Sequence, residues 1–169
     1  MSGNDPEFVT LLTRHSSRIY GFILLLSVGH ADAEDIFQET SLVLWEKFGS
    51  YVPGTNFQAW ACRIAYYETL RRRRDQPRTQ YFSDDAVGML ANDALVIMEQ
   101  PELDKEALSE CLDKLVDKDR RLIEQKYFIR LSASEIAKNS SRPVHAIYRE
   151  LSRIHTKLLR CVRKALETA

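Results

Sequence analysis

A chain of 169 residues, 44% hydrophobic and 28% charged, holds enough apolar material for one ordinary domain or two small ones, which excludes a chain disordered as a whole. Its 24 Lys plus Arg balance 24 Asp plus Glu, so a uniformly basic nucleic-acid coat is excluded and the distribution of charge becomes the informative quantity. Cys62, Cys111 and Cys161 lie far apart, are odd in number and lack C-x-x-C spacing, which argues against a disulfide framework or zinc site and for a reducing cytoplasm.

The apolar periodicity predicts an all-α chain, with no alternating pattern long enough for a sheet. Asp5 and Pro6 suit a helix start, and the apolar residues then continue through Ile19, Phe22, Ile23 and Leu26 until Gly29. The longest apolar run, Phe22 to Leu26, is far below the roughly 18 residues that span a bilayer, and no basic segment leads into an apolar one at the N-terminus. No export or membrane-insertion signal is expected. Asp32 can cap a second helix bearing Ile36, Phe37, Val43, Leu44 and Phe48. After the Pro53-Gly54 turn, Thr55-x-x-Gln58 has the form of a capping box that opens a third helix.

That third helix carries a Trp, two adjacent Tyr and four consecutive Arg. Phe57, Ala61 and Ile64 form an ordinary core stripe, and beside it run Trp60, Arg63, Tyr67, Leu70 and Arg74. A buried guanidinium without a partner is costly, so the second stripe must reach solvent or a ligand. Aromatic planes alternating with Arg suit single-stranded nucleic acid, where bases stack and cations follow the phosphates. A core Trp followed by a cationic helix terminus, favoured by the helix dipole, is the equally open alternative.

After Pro77 the period fades, and Gly88, Asn92 and Pro101 interrupt an acidic stretch with room for a short helix around Ala94 to Met98. Residues 79–101 therefore read as a linker. A second helical unit begins near Glu102, with Leu103, Ala107, Cys111 and Leu115 on one stripe and Leu122, Ile123 and Tyr127 on the next. Ser132-x-x-Glu135 is a capping box, and a polar turn at Asn139 to Arg142 leads to Pro143 and a further helix: the grammar of a helix-turn-helix. In its second helix Val144, Ile147, Leu151, Ile154 and Leu158 form a buried stripe. His145, Arg149, Ser152, Arg153, Thr156 and Arg160 lie opposite, as donors suited to phosphates and base edges.

Charge is segregated along this order. Asp32 to Ser50 carries a net −4, Arg63 to Arg78 a net +4, Asp84 to Asp119 a net −8 and Lys138 to Lys164 a net +7. Two basic patches around an acidic middle suggest two contacts with one polyanion, although each can also be a solvated helix face.

These residues resemble an extracytoplasmic-function, or group IV, sigma factor of the sigma-70 family. The resemblance is carried by D-A-E-D-I-F-Q-E-T at Asp32 to Thr40, Trp45 to Phe48, N-F-Q-A-W-A-C-R-I-A at Asn56 to Ala65, L-S-x-x-E-I-A at Leu131 to Ala137 and L-S-R at Leu151 to Arg153. It implies three parts: a region 2-like domain at residues 1–78, a linker at 79–101 and a region 4-like helix-turn-helix domain at 102–169. By the same resemblance, Asp35, Gln38, Glu39 and Leu42 dock on the clamp coiled coil of core RNA polymerase, and the flap is a further contact. Asn56, Phe57, Trp60, Arg63, Tyr67, Arg71 and Arg74 would recognise and open the minus-ten element, capturing an unstacked base. His145, Tyr148, Arg149, Ser152 and Arg153 would read the minus-thirty-five element.

Three positions depart from the family pattern: Glu150 stands where a basic residue is common, Tyr148 where Lys or Arg is frequent, and His145 where Gly is frequent. The expected role is promoter recognition, promoter opening and transcription initiation in a stress or envelope response. Duplex and melted promoter DNA and an anti-sigma factor are the further partners, and there is no cofactor. No sensory extension is evident after Ala169. No enzyme constellation appears, since His15, His30, His145 and His155 lack a Cys pair, an H-E-x-x-H or a glycine-rich phosphate loop, and lone histidines of this kind are expected at the surface. A stand-alone helix-turn-helix regulator would explain the C-terminal unit but not the acidic helix or the aromatic-arginine helix. A helical protein-interaction module, the third reading, predicts weak DNA binding.

Overall fold

Helical periodicity is realised throughout the described residues. The computed structural model describes residues 5–76, 83–99 and 104–168, and all regular structure among them is helical. Pro77, Arg78, Leu103 and the linker ends at 79–82 and 100–101 lie outside the described residues, as does the side chain of Asp5.

Helices α1 (Asp5–Leu26), α2 (His30–Lys47) and α3 (Phe57–Asp75) pack on one another around an apolar core that includes Ile19, Phe22, Ile36, Leu44 and Ala61. α2 begins two residues before the expected cap. Asp32 lies inside its first turn, where its carboxylate accepts from the Val28 N–H at 3.4 Å and from Arg72 at 3.2 Å. A 3-10 turn at Phe48–Ser50 ends α2, and Gly54, at φ +82°, supplies a left-handed turn that a side chain would strain. α3 is capped by Asn56, whose side chain accepts from the Ala59 N–H at 3.0 Å. The expected Thr55 cap is displaced because the Thr55 hydroxyl turns back to the Val52 carbonyl at 2.7 Å.

The expected linker is largely a helix. α4 (Asp84–Met98) is capped by Ser83 and buries Val87, Leu90, Ala91, Ala94 and Ile97, spaced three and four apart. Gly88 and Asn92, read as breakers, do not break it. A Cβ at Gly88 would stand 3.2 Å from the Tyr66 hydroxyl, so this glycine serves the close approach of α4 to α3. α4 contributes to both cores: Val87 to Ala94 join the N-terminal one and Ile97 the C-terminal one.

The C-terminal half comprises α5 (Asp104–Asp113), α6 (Asp117–Ile123), a π-helical turn (Glu124–Phe128), α7 (Ala133–Asn139) and α8 (Val144–Thr168). The capping box at Ser132 and Glu135 is present in both directions, at 3.2 and 2.7 Å. Ile147, Leu151, Ile154 and Leu158 of α8 are buried against α5 and α7, while Val144 is half-buried. Against expectation, Cys111 of α5 and Cys161 of α8 are joined by a disulfide: folding brings together residues that sequence spacing left far apart. His155 also departs from the surface expectation. It is buried and shares a 2.7 Å hydrogen bond with the Tyr127 hydroxyl, and burial, aided by the charge of nearby Lys126, pushes its pKa down to about 3.

The halves meet directly. The Tyr148 hydroxyl donates to the Val28 carbonyl at 2.5 Å, His30 Nε2 lies 3.3 Å from the Lys126 carbonyl, and Arg163 of α8 pairs with Asp93 of α4 at 3.2 Å.

Candidate nucleic-acid interface

Three exposed faces follow from this packing. The first is the outer edge of α3. Phe57 is 3% exposed and belongs to an aromatic cluster with Phe48, Tyr51 and Trp60, at ring distances of 5.4 to 6.5 Å. It supports the surface rather than forming it. Trp60 is half-buried against Tyr51 and Phe57, whereas Arg63, Tyr67, Arg71 and Arg74 are exposed and Asn56 is spent as the cap. The stripe of Trp60, Arg63, Tyr67 and Arg74 is thus an edge with a rigid aromatic root and a solvated cationic rim.

The four-arginine run is not one patch. Arg71 pairs with Glu68 at 3.4 Å, and Arg73 with Asp84 of α4 at 3.0 Å. Arg72 reaches Asp32, Asp35 and Glu39 of α2 at 3.2, 2.9 and 3.7 Å. Successive helical residues point about 100° apart, so four consecutive Arg must serve different neighbours.

The second face is on α2, where Asp35, Gln38, Leu42 and Trp45 follow at helical spacing. All four are exposed; Leu42 is 66% exposed and Trp45 46%. Glu39 is half-buried toward Arg72. Trp45 has no role in the sequence reading beyond its motif, yet its place one turn after Leu42 is the signal that finds it.

The third face is on α8. Arg149, Ser152, Arg153, Thr156, Lys157 and Arg160 line an open cleft of about 530 Å³, and His145 is exposed nearer the helix start. Lys157 joins this group only once the face is seen in three dimensions. Tyr148, expected among the readers, is 4% exposed because its ring turns inward and its hydroxyl meets Val28.

Two ion-paired networks hold the third face. Arg153 donates to Asp119 at 2.7 and 3.1 Å. Asp119 is 3% exposed, and the Arg153 bonds hold its carboxyl below the usual aspartate range. Glu150 accepts two bonds from Arg142, at 2.8 and 2.9 Å, and one from Lys118 at 3.1 Å, and the Arg142 bonds lead in pulling its pKa down to about 2. The acid at the position where a base is common therefore ties the turn and α6 to α8. Among the described residues no cluster of His, Cys, Asp and Glu side chains could hold a metal ion, and no helix is long and apolar enough to cross a membrane.

Comparison with known proteins matches the N-terminal part of the chain to a family. Residues 11–79 match the family described as Sigma-70 region 2. The chain is 33% identical over 82 residues to the ECF RNA polymerase sigma factor SigE of Mycolicibacterium smegmatis, a match that covers 47% of this chain and 32% of that protein. It is 28% identical over 167 residues to the ECF RNA polymerase sigma factor SigW of Bacillus subtilis, covering 90% of this chain and 86% of that protein. Among solved structures, the sigma factor RpoE of Bartonella quintana in complex with the anti-sigma factor NepR aligns over 93% of this chain and 97% of that one, at 20% identity and a TM-score of 0.42. The chain spans about a third of the SigE relative. The similarity to Sigma-70 region 2 thus covers residues 11–79, and the two relatives named above are both ECF RNA polymerase sigma factors.

Proposed function

We propose that the chain is a sigma factor that binds core RNA polymerase, recognises and opens promoters, and directs transcription initiation in a stress or envelope response. One observation carries this reading: the segment that matches Sigma-70 region 2 contains both the exposed acidic-apolar face of α2 and the exposed aromatic-arginine edge of α3.

In this reading Asp35, Gln38, Leu42 and Trp45 dock on the clamp coiled coil of the polymerase, with Leu42 and Trp45 as apolar contacts and Asp35 as the charged one. Arg72 orients the acidic residues from behind. Trp60 and Tyr67 stack on bases of the melted minus-ten strand while Arg63 and Arg74 follow its phosphates. α7 and α8 act as a helix-turn-helix that reads the minus-thirty-five element through Arg149, Ser152, Thr156, Lys157 and Arg160, with Arg153 held in place by Asp119. The polymerase flap and an anti-sigma factor complete the partners. The chain does no covalent chemistry and needs no cofactor of its own, because phosphodiester formation belongs to the polymerase.

The test is purification with core polymerase followed by run-off transcription from random promoter sequences. The expected result is a set of transcripts that depend on this chain and share two spaced elements. Specific duplex binding without core association would instead establish a stand-alone regulator.

A further inference from the structure

Neither DNA binding nor polymerase docking uses the cysteine pair. Cys111 lies on the face of α5 that packs against α8, and Cys161 lies on α8, 50 residues later. Their Cα atoms are 6.0 Å apart, inside the span a disulfide bridges without backbone movement. Access differs between them: Cys111 is 2% exposed and Cys161 is half-buried. Cys62 is a built-in contrast, fully buried in the N-terminal core, its thiol pushed up to about 12 by desolvation and so without thiolate at neutral pH. The loop closed by the pair contains α6, the π-helical turn, α7 and most of the basic face of α8.

We propose that Cys111 and Cys161 form a reversible thiol-redox site whose oxidant is a low-molecular-weight disulfide, and that oxidation fastens α5 to the basic helix α8. The Cys161 thiolate, the more accessible of the two, attacks one sulfur of oxidised glutathione. The glutathione S–S bond breaks and one glutathione leaves as thiolate and takes up a proton. The Cys111 thiolate then attacks the Cys161 sulfur of the mixed disulfide and expels the second glutathione. Two electrons and two protons have passed from the cysteine pair to the oxidant, and two equivalents of reduced glutathione reverse the sequence. The reduced form keeps its fold, since Ala107, Leu115, Leu158 and Val162 are buried in the same core around the pair. The oxidised form is the more stable, because the bond restricts the unfolded chain across a long loop. This chemistry is independent of what the chain binds, so it stands or falls separately from the proposed function.

The experiment equilibrates the full chain across a series of reduced and oxidised glutathione buffers, quenches with acid, alkylates under denaturing conditions and maps the cysteines by mass spectrometry. The expected result is a concerted passage from two alkylated thiols at Cys111 and Cys161 to one bridge within the series, with Cys62 alkylated in every sample. The oxidised chain should melt several degrees above the reduced one, and Cys161→Ser should abolish that difference. A pair that stays dithiol at the oxidising limit, stays bridged at the reducing limit, or stops at a glutathione adduct on Cys161 overturns the proposal, as does a melting shift that survives in Cys161→Ser.

Discussion

The two faces proposed for DNA stand on opposite foundations. The edge of α3 is rooted in an aromatic cluster and an apolar core, and its ion pairs lie to the side, tying Arg72 and Arg73 to neighbouring helices. The face of α8 stands on buried and half-buried polar groups: buried Asp119 under Arg153, half-buried Glu150 gripping Arg142 and Lys118, and buried His155 against Tyr127 beside the buried Lys126. Apolar packing holds its shape over a wide range of pH, whereas an ion-paired scaffold is conditional on protonation. The C-terminal half should therefore be the conditional partner.

The largest expected break comes from Asp119→Ala. It removes a nearly buried carboxylate that accepts both Arg153 bonds, and should cost about 2 to 3 kcal/mol of stability, moderated by the solvent that reaches Arg153. Urea unfolding followed by circular dichroism measures it, and a loss under 0.5 kcal/mol would mean that the pair does not hold the face.

Acid comes next. The unfolded chain protonates His155 below about 6.5, while burial holds the folded form neutral down to about 3. Stability is then fully present above about pH 6.5 and falls as pH drops, by about 2 kcal/mol on reaching pH 5. Glu150 acts lower, its contribution intact above about 4.5 and lost toward about 2. Both tryptophans, Trp45 and Trp60, lie in the N-terminal half, so fluorescence reports that half alone while circular dichroism reports both. At pH 5 the two unfolding curves should separate, with the fluorescence transition later. His155→Gln, which keeps a partner for Tyr127, should bring them back together.

Smaller effects sharpen the contrast in binding. Arg149→Ala should weaken duplex affinity by about 1.5 kcal/mol at preferred sequences if it reads a base edge, measured by fluorescence anisotropy. A uniform loss with a shallower salt slope would make it a phosphate contact. Tyr67→Ala, at an exposed ring on the apolar foundation, should lower single-strand affinity by about 1 kcal/mol and change stability by less than 0.5 kcal/mol. Equal loss on duplex and single strand would remove Tyr67 from the strand-capturing edge.

Much of this was legible in the residues. The core stripe of α8, the capping box at Ser132 and the half-exposed stripe of α3 follow from spacing of three and four residues, which is local information. The α4 helix carried the same spacing, but Gly88 and Asn92 read as breakers because nothing local says that Tyr66 will approach Gly88. The periodicity of α3 already places Phe57 in the core, whereas the burial of Tyr148 escapes the sequence for a related reason: motif position does not say which neighbour will cover a ring. Asn56 takes the cap expected of Thr55 because adjacent residues with similar side-chain oxygens compete for one cap.

Local sequence thus determined most of the helices, the segregation of charge along them and the residue types from which a nucleic-acid surface can be made. Tertiary structure decided which of those charges are tied up in ion pairs. It spent Arg72 on α2, Arg153 on Asp119 and Arg142 on Glu150, and it brought Cys111 to Cys161 across 50 residues. Helix formation depends on neighbours three and four residues away, while ion pairing and burial depend on which helices meet, and that is settled only when the whole core packs.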